Sequence, residues 1–277
     1  MKLVKILAFL TTCIGLNQAI AQERIVSIGG DVTEIIYALG AEQTLVGRDS
    51  TSIAPLAAQQ LPDVGYMRQL NAEGILALKP TKVISSEVAQ PSAVFEQLKS
   101  AGITIERVPF EYSPDSVIRK IQLIGNLVNK PQQAAKLAEN FANELKAISN
   151  SPLDVRILFI LNHAGSNYMA AGKNTVADTA IRLIGATNAM QNSIRFSPIS
   201  QEGVIAARPD LLVLTKMSLE SLGSIDKLWA LPGMSLTPAA KKKNVIVLDD
   251  LAVLGFSLTT PTELLKMRQA AEQVQHD

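Results

Sequence analysis

One short segment occurs twice in this sequence, and the repeat limits the possible folds more than any other feature. Residues 73–80 read Glu-Gly-Ile-Leu-Ala-Leu-Lys-Pro, and residues 202–209 read Glu-Gly-Val-Ile-Ala-Ala-Arg-Pro. Each copy predicts a short helix that begins after a capping residue, Asn71 or Ser200, and ends at the proline. An apolar segment follows each copy and predicts a buried strand. The duplication therefore predicts two lobes built on the same plan.

Other segments fit the duplicated plan. The apolar runs 24–28 and 156–161 both begin with arginine and predict strands. Each leads into a helical segment that ends in glycine, at 33–40 and at 175–185. Strands that alternate with helices are typical of parallel sheets covered on both faces. We therefore expect an α/β protein with two Rossmann-like lobes and a ligand cleft between them.

The segment between the two halves has a helical pattern. Residues 116–129 and 131–149 carry apolar side chains at helical spacing, and Pro131 suits a first helical turn. A helix over 131–149 would be about 28 Å long, enough to run along both lobes and to limit hinge motion. The predicted organisation is an N-terminal lobe at 22–128, a linking helix at 129–152 and a C-terminal lobe at 153–277.

The first 21 residues have the pattern of an export signal. Two lysines precede an apolar stretch at 6–16, and residues 19–21 form a small-x-small cleavage site. Cleavage after Ala21 would leave a soluble, exported chain without cysteine. The alternative is lipidation of Cys13, although the bulky Thr12 precedes it where such sites normally have a smaller residue.

The counts of a few residue types exclude several kinds of function. The sequence has one cysteine and two histidines, with 26 basic and 25 acidic residues. An intrachain disulfide framework and a zinc site made of several His or Cys ligands are therefore excluded. The charge balance argues against nucleic-acid binding, which needs a concentrated basic surface. The sequence also lacks nucleophile-elbow and zinc-protease motifs, so we do not expect an enzyme.

Two loops contain candidate ligand-binding residues. In segment 63–70, extended geometry would place Tyr66 and Arg68 on one face, where the guanidinium favours the phenolate, a hard ligand for ferric iron. His163 is the one internal histidine and follows a predicted strand, where α/β sheets place their ligands. The alternative is that Tyr66 and Arg68 are ordinary loop residues and that His163 is a hydrogen-bonded structural residue.

A resemblance to a known family covers essentially the whole mature chain. The runs 25–40, 46–49 and 61–66 resemble the periplasmic binding proteins that serve ABC importers of siderophores, cobalamin and haem. The haem branch in particular is similar in Gly65-Tyr66-Met67-Arg68 and in the stretch 158–188. The resemblance implies the class III periplasmic binding protein fold and haem transport. A ferric-siderophore or cobalamin carrier is the alternative, and an exported enzyme on the same scaffold is a third hypothesis.

The resemblance also assigns roles to the candidate residues. Tyr66 would be the axial ligand of ferric haem b, and Arg68 would stabilise its phenolate. His163 would supply a second ligand from the opposite lobe, so that one or two haems would bind. Two methionines would face the porphyrin and one lysine would meet its propionates, namely Met67, Met169 and Lys173.

The repeated glutamates acquire a role from the same resemblance. Glu73 and Glu202 would dock on arginines of an ABC permease dimer that carries its ATPase, because a two-fold partner needs two matched contacts. The alternative is that each carboxylate interacts only with the dipole of its own helix. The resemblance further implies a periplasmic monomer that obtains haem indirectly from an outer-membrane receptor system.

Overall fold

The first lobe is built on a parallel sheet. The computed structural model describes residues 23–162 and 168–276, so the predicted export signal and Cys13 lie outside the described residues. The elements of the first lobe are β1 (Ile25–Ile28), α1 (Gly30–Ala38), β2 (Leu45–Arg48), α2 (Ala72–Ala77), β3 (Lys82–Ser86), α3 (Ser92–Ser100), β4 (Thr104–Val108) and α4 (Asp115–Leu127). Short 3-10 helices lie at Glu42–Thr44 and Leu56–Gln60. The strands pair in the order β2-β1-β3-β4, all parallel.

A single helix, α5 (Pro131–Lys146), connects this lobe to the second one. It is three residues shorter than the predicted helix at 131–149, because Ser149 Oγ accepts a hydrogen bond from Ser151 N at 3.3 Å in a turn that competes with the helix. The helix packs against α4 so closely that a Cβ atom at Gly125 would lie 2.2 Å from the Cβ atom of Ala134. Glycine at this position is therefore what allows the two helices to approach.

The second lobe has a larger, mixed sheet. Its elements are β5 (Arg156–Leu161), β6 (Met169–Ala171), α6 (Val176–Leu183), β7 (Thr187–Asn188), β8 (Phe196–Pro198), α7 (Gln201–Ala207), β9 (Leu211–Thr215), α8 (Lys216–Leu222), α9 (Ile225–Trp229), α10 (Pro238–Lys242), β10 (Val245–Leu248), α11 (Asp250–Leu254) and α12 (Thr260–His276). A 3-10 helix lies at Met234–Leu236. The strand order is β10-β9-β5-β6-β8, and β7 pairs with β5.

The second sheet is mixed: the expected parallel arrangement holds for β5, β7, β9 and β10 but not for β6. Strand β6 runs antiparallel to both β5 and β8. The connection from β5 to β6 covers only residues 162–168. A parallel crossover needs a dozen or more residues, so this short connection returns the chain directly beside the strand that it left.

The repeated segment folds as predicted in both lobes. Helices α2 and α7 begin after Asn71 and Ser200, whose side chains accept hydrogen bonds from Gly74 N at 2.8 Å and Gly203 N at 3.0 Å. Strands β3 and β9 follow, and each lies inside its sheet. The helix predicted at 175–185 is also confirmed, with Thr175 as its N-cap.

The main hydrophobic core extends across both lobes. It joins side chains of β1 and α1, such as Ile25 and Ile35, to side chains of the second lobe, such as Phe159 and Phe256. Helix α5 contributes Phe141 to the same core. The lobes therefore share buried apolar contacts in addition to the connecting helix. Within residues 23–162 and 168–276, no helix is long and apolar enough to cross a membrane.

Candidate functional site

A cavity of about 620 Å³ lies between the two lobes. It is lined by residues that follow the carboxyl ends of strands in both sheets, which is where open α/β sheets place their ligands. From the first lobe these include Asp31 after β1, Thr51 after β2, Val88 after β3 and Phe110 after β4. From the second lobe they include Asn162 after β5, Met217 after β9 and Asp250 after β10. The volume is in the range typical of sites for small molecules and cofactors.

Tyr66 lies on the wall of this cavity, and hydrogen bonds hold its loop on both sides. Ser50 N donates to Gly65 O at 3.0 Å, and Gln90 N donates to Met67 O at 2.7 Å. The Tyr66 side chain is 40% exposed and shares the cavity wall with Met67 and Arg68. The loop therefore presents a phenol, a thioether and a guanidinium together.

The backbone of this loop is not extended as the alternation argument assumed. Gln69 N donates to Tyr66 O at 2.8 Å, which closes a turn with Met67 and Arg68 at its centre. Gly65, just before the turn, has φ +95°, a conformation that favours glycine. The premise of alternating side chains was wrong, although Tyr66 and Arg68 still line one cavity because the turn carries both to its wall.

A buried carboxylate fixes the neighbouring part of the wall. Asp49 has no exposed surface and accepts hydrogen bonds from Gly29 N at 2.8 Å, from Ser52 Oγ at 2.8 Å and from Thr51 Oγ1 at 2.6 Å. These bonds join the turn after β1 to the loop after β2. Asp49 thus has a structural function, because it holds the loop that places Thr51 on the wall of the cavity.

The wall on the second lobe includes polar residues that the sequence did not single out. Asn162 is 4% exposed, and its Oδ1 atom has no hydrogen-bond partner in the described part of the chain. Asp250 Oδ2 accepts from Met217 N at 3.2 Å, and burial raises the pKa of the Asp250 carboxyl above its usual range. Their position directly after strands is the signal that would have identified them, as the loops after parallel strands meet at one edge of a sheet.

An ion pair lies at the edge of the cavity. Lys120 of α4 is 2% exposed and binds the carboxylate of Asp31, which lines the cavity. The Lys120 ammonium also lies 5.7 Å from the centre of the Phe110 ring, another residue of the wall. The charge of Asp31 is therefore compensated from within the protein.

The structure brings together only some of the predicted site residues. Tyr66, Met67 and Arg68 share the cavity, whereas His163 lies outside the described residues. Met169 pairs with Leu161 across two strands but is not among the residues that line the cavity. Lys173 lines a separate polar hollow of about 320 Å³ with Arg182.

The repeated glutamates lie away from the cavity. Glu73 and Glu202 are exposed in the first turns of α2 and α7, at equivalent places in the two copies of the repeat. Neither residue lines the interlobe cavity.

Comparison with known proteins agrees with this architecture. A family model described as periplasmic binding protein matches residues 25–252. The chain belongs to the periplasmic binding protein family. Two solved relatives of this periplasmic binding protein have closely similar structures. The periplasmic heme-binding protein RhuT from Roseiflexus sp. RS-1 is 36% identical with a TM-score of 0.86, covering 92% of this chain and 99% of its own. The periplasmic heme-binding protein BhuT in complex with two hemes is 34% identical with a TM-score of 0.85, covering 91% and 99%.

Curated relatives of this periplasmic binding protein are more distant. The vitamin B12-binding protein of Vibrio parahaemolyticus is 28% identical over 75% of this chain and 74% of its own length. The uncharacterized ABC transporter substrate-binding lipoprotein YvrC of Bacillus subtilis is 28% identical over 70% of this chain, and the match spans only 63% of YvrC.

Proposed function

We propose that this periplasmic binding protein captures haem in the interlobe cleft and delivers it to an inner-membrane ABC permease. The observation that carries the proposal is the exposed Tyr66, which shares the wall of the interlobe cavity with Met67 and Arg68. Two solved relatives above 30% identity are named as heme-binding proteins, which supports the same ligand. The role is that of a carrier and not of an enzyme.

In this proposal Tyr66 is the axial ligand of ferric haem b. The porphyrin supplies four nitrogen ligands to the iron, so a single phenolate from the protein is enough to hold it, and Tyr is an established haem ligand. Arg68 in the same turn would stabilise the iron-bound phenolate. His163 would add a second ligand from the other lobe, and a relative that holds two hemes supports a cleft with room for one or two.

The remaining wall of the cavity suits a flat apolar ring system with acidic substituents. Apolar side chains from both lobes face the cavity, among them Met67, Val88, Phe110, Met217 and Leu254. Burial of porphyrin surface against such side chains supplies affinity in proportion to the apolar area. One of the two carboxylates on the wall, Asp31, has its charge compensated by Lys120. Repulsion of the propionates is thereby reduced.

The proposed route begins with export to the periplasm. The export signal would be cleaved after Ala21, and lipidation of Cys13 is the alternative. The mature monomer would obtain haem indirectly from an outer-membrane receptor system and dock on the permease dimer and its ATPase through Glu73 and Glu202. Their exposure in the first turns of two equivalent helices supports this docking.

Haemin titration tests the proposal. Wild-type protein should give a saturable shift of the Soret band. Tyr66→Phe should weaken binding at least about tenfold, because the free energy of the lost iron–phenolate bond exceeds the 1.4 kcal/mol that corresponds to a factor of ten. Tyr112→Phe is the matched control, because Tyr112 is 50% exposed and does not line the cavity. Equal Soret titrations for wild type and Tyr66→Phe would contradict the assignment. His163→Ala should lower a two-haem stoichiometry to one.

A cobalamin carrier is the second candidate, favoured by the similarity to vitamin B12-binding proteins. Cobalamin would compete with haemin if both use the cleft, so calorimetry with cyanocobalamin separates the two functions. Tight cobalamin binding without a saturable haemin response would replace the first proposal with this one.

A further inference from the structure

Each copy of the repeat exposes an apolar side chain next to its glutamate. In α2, Leu76 is 37% exposed and follows Glu73 by three positions; in α7, Ile205 is 38% exposed and follows Glu202 by three positions. Side chains three apart on a helix are surface neighbours. A single exposed aliphatic residue is common on protein surfaces, but here the same acidic–apolar pair recurs at the same register in both lobes.

The first copy is held by Arg24, the residue immediately before strand β1. Arg24 Nη2 donates to Leu78 O at 2.6 Å, and Nε donates to Lys79 O at 3.0 Å, so the guanidinium binds carbonyls just after the last turn of α2. The backbone of Arg24 adds two bonds, from its N atom to Thr81 Oγ1 at 3.0 Å and from Thr81 N to its O atom at 2.9 Å. The carboxyl end of helix α2 is therefore held against the start of strand β1.

The second copy is held by the corresponding arginine of strand β5. Arg156 Nε donates to Ala207 O at 2.7 Å, at the end of α7, and Ala207 occupies the position in this copy that Leu78 occupies in the first. The Arg156 backbone makes the same two bonds, from its N atom to Asp210 Oδ2 at 2.9 Å and from Asp210 N to its O atom at 2.8 Å. The positioning contacts of the repeated helix are thus duplicated together with its exposed face.

We infer that Glu73 with Leu76, and Glu202 with Ile205, form two matched acidic–apolar contacts for one two-fold symmetric partner. This inference rests on the proposed delivery of haem and identifies the partner as the permease dimer, each subunit of which would present a cation beside an apolar recess. A two-fold partner offers the same patch twice, which accounts for the recurrence of the pair. An apolar side chain beside an ion pair excludes water from it and strengthens the contact. Arg24 and Arg156 are positioning residues, because they hold the two helices that carry these contacts.

The test uses the haem permease–ATPase complex of the same bacterium in nanodiscs and measures ATP hydrolysis against the concentration of haem-loaded protein. Leu76→Ser combined with Ile205→Ser should raise the half-maximal concentration about tenfold, and each single change should have a smaller effect. Leu265→Ser is the matched control, because Leu265 is 43% exposed but belongs to α12. All variants should retain the wild-type Soret titration.

The possible outcomes separate this inference from the proposed function. If wild type binds haemin and stimulates hydrolysis, and the double variant matches Leu265→Ser, the inference is overturned. If wild type neither binds haemin nor stimulates hydrolysis, the proposed function fails first.

A second experiment tests the positioning role of Arg24. Arg24→Met alone should raise the half-maximal concentration for ATP hydrolysis, but it should add little to the effect of Glu73→Gln when both changes are present. Full additivity of the two changes would contradict a positioning role for Arg24.

Discussion

The most specific expectation for pH concerns Glu34, which links the two lobes. Glu34 lies in α1, and its Oε2 atom accepts a hydrogen bond from Leu258 N of the second lobe at 2.9 Å. The pKa of this carboxyl is raised to about 7, chiefly by burial; nearby Asp249 and Asp31 add to the rise, and the bonds from Leu258 and Ser257 oppose it. At moderately acidic pH, Glu34 is therefore protonated in the folded protein and ionised in the unfolded chain.

The sign and size of the effect on stability follow from this difference in proton binding. Below pH 4.5, the ordinary value for this group, both states hold the proton and the full contribution of Glu34 is present. Between that value and pH 7 only the folded state holds it, so the free energy of unfolding falls by about 1.4 kcal/mol for each pH unit. The stability contributed by Glu34 is therefore lost as pH rises, by about 3 kcal/mol over the whole window.

Glu34→Gln removes this titration and retains an oxygen that can accept from Leu258 N. Urea unfolding of both proteins at intervals from pH 4.5 to pH 8 gives the difference in stability, which should shift in favour of Glu34→Gln by about 3 kcal/mol across the range. Glu139→Gln is the matched control, because Glu139 is exposed on α5 and should show a difference that is nearly constant with pH. A constant difference for Glu34→Gln as well would refute the reasoning.

Two further predictions, one on the core and one on the ion pair, are tested by urea unfolding. Phe159→Ala should lower the free energy of unfolding by about 3–5 kcal/mol, because Phe159 has no exposed surface in the core that the lobes share; a loss below about 1 kcal/mol would contradict this packing. Lys120→Met should cost about 3 kcal/mol by leaving Asp31 without its cation, and adding Asp31→Asn should restore much of that loss. No recovery in the double variant would show that the pair is not the cause.

Local sequence signals predicted the repeated parts of the fold well. The caps Asn71 and Ser200 and the prolines that end the repeat defined α2 and α7, because each signal acts within a few residues of the helix that it limits. The antiparallel strands β6 and β8 were missed because no signal within the strands themselves sets their direction. Their direction depends on how short the connection after β5 is, and β6 itself has only three residues.

Among the described residues, the sequence indicated the cavity wall of the first lobe only. Tyr66, Met67 and Arg68 are consecutive, so a local segment indicated the wall on the first lobe. Asn162, Met217 and Asp250 are single residues far apart in sequence, and only the parallel order of β5, β9 and β10 places them at one edge of the sheet. The turn at Tyr66 was also missed, because it depends on a bond between Met67 and the distant Gln90 as well as on local geometry.

The two halves of the chain carry the same repeated helix with equivalent contacts, but they present different residues to the cleft. This contrast bears on what each surface binds. Arg24 and Arg156 make equivalent contacts with the two copies of the repeated helix. At the cavity, by contrast, the first lobe presents the Tyr66 turn and the second presents Met217 and Asp250. A ligand held between unlike walls requires no symmetry, whereas a two-fold partner requires two like contacts at a fixed separation. The duplicated face is therefore the one that fits a symmetric partner, and the dissimilar walls fit a ligand that meets each lobe differently.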